Sequence, residues 1–250
     1  MITKRVPDTW QDLQRESARI LEECGLAVEV EKKVKTGRGE VEIDVYAEEE
    51  VKGRRYIILC ECKHWRSRVP QQIVHGFRTV VGDIGANVGY LISTGGYQTG
   101  AFSAAELTKL ELVDWHGFQV AFEETWYDNY LSPKIAQELG PLLTYAEPIV
   151  PRWFPDLSDD EKNKFIVLKH KYDAFGWLVM MFTPYVRMLQ EKERPNLPLR
   201  NRMLEDEKVC RDIPDSILDV SGYREFYEQC LAYGLPAINE FRAIRDRNAT

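Results

Sequence analysis

The chain has no apolar run long enough to cross a bilayer. Its longest, Phe175 to Val186, is interrupted by Thr183 and Pro184 and falls short of the roughly 20 residues that a spanning helix needs. No secretory-type segment opens the sequence, because Met1-Ile2-Thr3-Lys4-Arg5 runs straight toward a helical pattern; a cytoplasmic protein is expected, with no membrane partner. Cysteines number only five, odd and scattered, which excludes a disulfide framework and predicts free thiols in a reducing compartment. Positive charge is not in excess either: the formal net charge is -7 over 250 residues. That balance argues against bulk coating of nucleic acid, though a local basic patch remains open. Internal repeats and low-complexity tracts are absent. What remains is 44% hydrophobic and 29% charged, an ordinary globular composition with room for one large domain or two small ones.

In chain order, Asp8 with Gln11 makes a capping-box pattern. Trp10, Leu13, Ser17, Ile20, Leu21 and Cys24 then share one side at helical spacing, and Gly25 ends the helix. Leu26 to Val34 alternates apolar with charged residues, as a half-buried strand does. Thr36-Gly37-Arg38-Gly39 predicts a hairpin turn. The returning strand, Glu40 to Ala47, places Val41, Ile43 and Val45 on one face and Glu42 and Asp44 on the other. A charged loop over Glu48 to Arg55 is expected next. It leads to a buried strand, Tyr56-Ile57-Ile58-Leu59-Cys60-Glu61-Cys62-Lys63. After Pro70 come a helix through Ile84, a short strand Val88 to Ser93, a helix from Ala101 to about Leu110, and a strand Leu110 to Val113. The order αβββαβαβ predicts an α/β domain with a sheet that is parallel at least in part. Trp115, Phe118, Phe122 and Trp126 fit a closing helix, with strand-like alternation of Phe118, Val120 and Phe122 as the alternative.

The composition then shifts. Pro133, Pro141, Pro148, Pro151 and Pro155 predict a linker, and Ser158-Asp159-Asp160-Glu161 reads as a helix start. The expected division is a first domain over 1-130, a proline-punctuated linker over 131-157 and a mainly helical domain over 158-250. Phe175-Gly176-Trp177-Leu178 reads as helix core rather than a platform for stacking bases.

The chemistry centres on Glu61 and Lys63. Alternation puts them on one face of their strand, with Cys60, Cys62 and His64 on the other. One explanation is an exposed ion pair, worth about 0 to 1 kcal/mol. The other adds Asp44 from the preceding strand, so that two carboxylates and a lysine converge. Hard divalent cations such as magnesium take oxygen ligands and need only one or two protein carboxylates. A cation held there neutralises charge on a phosphodiester, and a lysine beside it orients a water or a phosphate oxygen. Glu42, on the Asp44 face, is an auxiliary candidate. The alternate spacing of Cys60, Cys62 and His64 suits a soft metal site, but a packed back of the strand explains it better. From Lys52 to Arg68 the basic residues are Lys52, Arg54, Arg55, Lys63, Arg66 and Arg68, and Glu61 is the only acid. This predicts a phosphate track, with His64 and Trp65 as further contacts. Gln98 either touches substrate or fixes its loop. Gly95, Gly96 and Gly100 serve either close approach of a nucleic-acid backbone or tight packing.

These residues resemble the PD-(D/E)xK nuclease superfamily: Ile43-Asp44 on one strand, a hairpin, then Glu61-Cys62-Lys63 on the next. The flanks are similar to its Mrr-like restriction endonuclease branch, through the N-terminal helix closed by Gly25, Arg38-Gly39-Glu40-Val41-Glu42-Ile43-Asp44, Glu61-Cys62-Lys63-His64-Trp65, and Ser93 to Ala101. The resemblance covers roughly residues 8 to 126. It implies a restriction-endonuclease-like core, a mixed sheet flanked by helices, followed by the mainly α-helical C-terminal domain. It further implies that Asp44, Glu61 and the main-chain carbonyl of Cys62 hold Mg²⁺ or Mn²⁺, and that Lys63 is the catalytic lysine. Arg38, His64, Arg66, Arg68 and Gln98 are the expected nucleic-acid contacts. Ile43 replaces the proline of the superfamily name. Gln14 occupies the position where family members often carry a glutamate, and nearby Glu16 is a substitute. The full acid Glu61 stands where many Mrr-like proteins have glutamine. Gln71 and Gln72 do not make the Gln-x-x-x-Tyr pattern of exonuclease relatives, since His75 and Gly76 stand four positions on.

The expected function is metal-dependent hydrolysis of phosphodiester bonds in DNA, in a restriction or anti-phage defence nuclease that works as a homodimer. The helical C-terminal domain is available for a partner protein. Two alternatives stand beside it: a repair, junction or RNA nuclease, and a non-enzymatic nucleic-acid-binding or scaffold protein that keeps the fold.

Overall fold

A computed structural model describes residues 1-146, 150-189, 194-203 and 212-247. The chain divides into two compact units, one of Met1 and Arg5–Asn129, the other of Ile2–Lys4 and Tyr130–Thr250. The first holds α1 (Trp10–Glu23), β1 (Ala27–Thr36), β2 (Gly39–Val51), β3 (Arg54–Lys63), α2 (Gln71–Ile84), β4 (Val88–Ser93), α3 (Thr99–Ala105), β5 (Leu110–Val113) and α4 (Trp115–Trp126). This is the αβββαβαβ order, with Trp115 to Trp126 helical rather than extended. The five strands form one sheet in the order β1-β2-β3-β4-β5. The β1–β2 and β2–β3 pairs are antiparallel, and the β3–β4 and β4–β5 pairs are parallel. The parallel half follows from the crossover helices α2 and α3, which return the chain to the same sheet end.

Local chemistry sets the elements, with three corrections. The N-cap of α1 is Thr9, not Asp8, because the Thr9 hydroxyl accepts the Asp12 N–H at 3.1 Å. The expected charged loop at Glu48 to Arg55 is mostly hairpin. Pairs Glu50↔Arg55 and Val51↔Arg54 continue the ladder, and the turn narrows to Lys52 and Gly53, both at positive φ (51 and 75°), as a type I′ turn requires. Cross-strand opposite charges favour pairing there, so charge did not signal a loop. Helix α3 is shorter than expected and ends at Ala105.

A core of Leu59, Val74, Phe77, Val81, Leu91 and Leu110 joins the sheet to α2 and α3. Gly89 lies beneath α2, where a Cβ would stand 2.5 Å from Val81 and 2.9 Å from Leu110. Ile43 belongs to the same core as Tyr46. Residues three apart in a regular strand face opposite ways, so the expected alternation of Val41, Ile43 and Val45 breaks between Ile43 and Tyr46. Opposite this point, Glu31 has φ 53°, and the β1–β2 register runs Val30↔Val45 then Lys32↔Ile43, without a Glu31↔Asp44 pair.

The second unit contains α5 (Ser132–Ala146), α6 (Asp159–Met181), α7 (Pro184–Leu189), α8 (Arg200–Met203), α9 (Asp215–Leu218) and α10 (Tyr223–Asp246). The stretch expected as a linker therefore carries a helix. Pro133 falls in the first turn of α5, where a missing N–H costs nothing. Buried Ile135, Leu139, Leu142 and Tyr145 outweigh Pro141 within it. Pro148 lies outside the described residues. The Ser158 capping box with Glu161 is formed. Phe165, Phe175 and Phe241 are buried in this unit's core, and Tyr145 stacks on Phe241 at 4.7 Å. Phe175 and Leu178 are core as expected, whereas Trp177 is exposed. Among the described residues no helix is long and apolar enough to cross a membrane.

Candidate active site

The β2–β3 ladder stops at Val45↔Cys60. One residue further, Asp44 does by side chain what the ladder does by backbone: its Oδ2 accepts the Cys62 N–H at 2.7 Å. This hydrogen bond fixes a carboxylate against the end of β3. Glu61 and Lys63 form an ion pair there, with side chains only 23% and 18% exposed. The pair is not the solvent-exposed ion pair of the plainer reading. Burial, and then the Asp44 charge, push the Glu61 carboxyl above its ordinary value, against the lowering effect of Lys63. Two carboxylates, one of them with its charge disfavoured by the other, stand beside a lysine as an oxygen-rich, cation-seeking group. Among the described residues no cluster of three or more His, Cys, Asp or Glu side chains is gathered to hold a metal. The donor set of two carboxylates fits a hard divalent cation and not a thiolate metal.

The opposite side of β3 is packed. Cys60 and Cys62 are buried free thiols, and burial raises both pKa values. His64 follows them: its Nε2 lies 3.2 Å from the Pro7 carbonyl, so the ring is engaged with the N-terminal segment. Gln14 is buried on α1 and Glu16 is half-buried. Among the described residues, the hydrogen bonds of the Asp44–Glu61–Lys63 cluster reach neither of them. Glu42 is exposed on β2.

The expected phosphate track divides. Lys52, Arg54 and Arg55 sit at the hairpin end of β3, about 30 Å of strand from Lys63, and Arg55 is paired with Glu48. Arg38, at the β1–β2 turn, is ion-paired at 3.2 Å to Asp83 in the last turn of α2. Arg66, Arg68 and Gln98 are exposed on two loops that run together past the ends of β3 and β4. Val69 bridges Tyr97, the Val69 N–H donates to Gly96 O at 2.9 Å, and the Gln98 N–H donates to Val69 O at 3.0 Å. Of the five expected nucleic-acid contacts, these three are exposed on the loops that follow β3 and β4. Gly95 is explained by close packing against backbone, Gly96 by its positive φ of 74°, and Gly100 by its contact with a side chain. A Cβ on Gly95 would lie 2.5 Å from Ser67 O and 2.6 Å from Trp65 O, and one on Gly100 would lie 2.7 Å from Gln71 Oε1. Two features escaped the sequence: the Cys62 N–H as the anchor of Asp44, and the break in β2 alternation that aims it. A ladder's end leaves no compositional signal.

A family model described as a restriction endonuclease (Mrr_cat) matches residues 8–121. Residues 8–121 are an Mrr-like restriction endonuclease domain. The mixed five-stranded sheet and its flanking helices are the restriction-endonuclease-like fold, and the Mrr-like domain contains the whole Asp44–Glu61–Lys63 cluster. No curated protein matches the chain. A solved structure of a protein of unknown function, AF1548, is 15% identical over 92% of this chain and 99% of that one, with a TM-score of 0.38.

Proposed function

We propose that the protein is a metal-dependent DNA endonuclease that hydrolyses phosphodiester bonds at Asp44, Glu61 and Lys63. The observation that carries this reading is the Asp44 carboxylate docked on the Cys62 N–H, beside the largely buried Glu61–Lys63 pair. Asp44 and Glu61, with the Cys62 carbonyl, would hold Mg²⁺ or Mn²⁺. The cation would supply Lewis-acid neutralisation of phosphodiester charge. The protein's own groups do the rest. Asp44 is oriented by the Cys62 N–H. The Lys63 ammonium donates to a non-bridging phosphate oxygen and orients the attacking water. Exposed Arg66 and Arg68 contact flanking phosphates, and Gln98 lies on the same rim. His64, Arg38, Gln14, Glu16 and Glu42 have no direct part in this scheme.

Duplex cleavage takes two sites, one per strand, so the working form is a homodimer. The helical unit over 158-250 is available to a partner protein, and a cytoplasmic restriction or anti-phage role fits the Mrr-like domain. The test is plasmid incubation with Mg²⁺ or Mn²⁺ beside Asp44→Ala and Lys63→Ala. Wild type nicks or linearises the plasmid, and each variant loses at least about 100-fold in rate. Cleavage that survives both substitutions rejects the assignment. A fall in phage plating efficiency that Lys63→Ala abolishes is the cellular counterpart.

A further inference from the structure

We propose that Trp65 is a positioning residue for Lys63: its indole face holds the ammonium in the direction of the reacting phosphate. This deepens the nuclease reading and rests on it. The Lys63 Nζ lies 5.6 Å from the centroid of the Trp65 ring, within the range of a cation–π attraction. Strand alternation explains the meeting. Residues 61, 63 and 65 continue one face past the end of β3, while His64 turns to Pro7 on the other.

The indole is 38% exposed, yet its main chain is fixed. The Thr94 hydroxyl donates to Trp65 O at 3.2 Å, and the Thr94 N–H donates to Lys63 O at 3.1 Å. Gly95 admits the Trp65 carbonyl where any side chain would collide with it. A backbone clamped on both sides of residue 64 holds the ring over the lysine at low entropic cost. Glu61 attracts the same ammonium from the strand side. Lys63 is thus held between a carboxylate and a π face, which limits the directions its flexible stem can take.

The test uses the full chain labelled with [¹³Cε]lysine, with Lys63→Arg assigning the signal. An indole over the ammonium shifts the Lys63 ε resonance upfield by ring current. Trp65→Phe keeps a shift, and Trp65→Leu, similar in apolar bulk, removes it. In parallel, Trp65→Leu lowers the cleavage rate about fivefold, Trp65→Phe restores most of it, and DNA affinity measured with Ca²⁺ stays unchanged. A wild type that cleaves DNA without an upfield shift overturns the proposal alone. So does a Trp65→Leu loss confined to DNA affinity, which assigns the indole to base stacking. A wild type that shows the shift and cleaves no nucleic acid overturns the nuclease reading, and with it the catalytic consequence.

Discussion

Glu61 is a carboxylate whose protonation its surroundings shift. Burial raises its pKa, Asp44 raises it further, and Lys63 opposes both. Its folded-state value therefore lies above the unfolded one, and the native chain keeps this proton longer than the unfolded chain. Stability from Glu61 is greatest below the ordinary carboxylate range and falls as pH rises through that range to the raised value. In metal-free buffer, the urea midpoint of wild type relative to Glu61→Gln should decline across that window and then level off; a rising difference contradicts the environment described. Gly95 is a second sensitive position. A Cβ there meets two backbone carbonyls rather than a yielding side chain. Gly95→Ala should cost about 1 to 3 kcal/mol in denaturant unfolding and reduce cleavage by separating the two rim loops.

At the scale of elements, β2 and β3 make the site by ceasing to pair. Their ladder ends at Val45↔Cys60, and the Cys62 N–H then goes to a carboxylate. An N–H left unpaired at a buried strand end is costly, so the hydrogen bond that orients Asp44 also satisfies β3. Helix α1 covers the thiol side of the sheet and begins at a single cap. Thr9→Ala should destabilise the protein by about 1 kcal/mol, and Asp8→Ala by clearly less, measured by urea denaturation. Equal losses would mean that both side chains cap the helix.

For the whole molecule, charge is the relevant quantity. A chain with net charge -7 that binds DNA must do so through a small basic area against an unfavourable background. With Lys63, Arg66 and Arg68 as the phosphate contacts, binding in Ca²⁺ should fall with salt at a log–log slope of about -2 to -3, since each neutralised phosphate contributes about -0.9. Arg66→Ala and Arg68→Ala should each reduce that slope by about one, while Arg55→Ala, a strand's length away and paired with Glu48, should leave it unchanged. A slope that ignores Arg66 and Arg68 moves the DNA track elsewhere.

The sequence by itself determined the αβββαβαβ order, because hydrophobic period and turn residues are local properties. It also put Glu61 and Lys63 on one face, because alternation fixes which residues of a strand share a face, and it offered Asp44 from the preceding strand as their companion. It misjudged Glu48 to Arg55, where charges pair across a hairpin, and residues 132-146, where buried leucines outweigh prolines. Only the tertiary structure decided how Asp44 is held, since the end of the β2–β3 ladder and the break in β2 alternation depend on partners distant in sequence. The same holds for the basic residues. Lys52 to Arg68 is one cluster along the chain, but an extended strand of about 30 Å separates its two ends. Arg38 went to Asp83 and His64 to Pro7, because a side chain takes the partner that folding brings near, and spacing along the chain does not specify that partner.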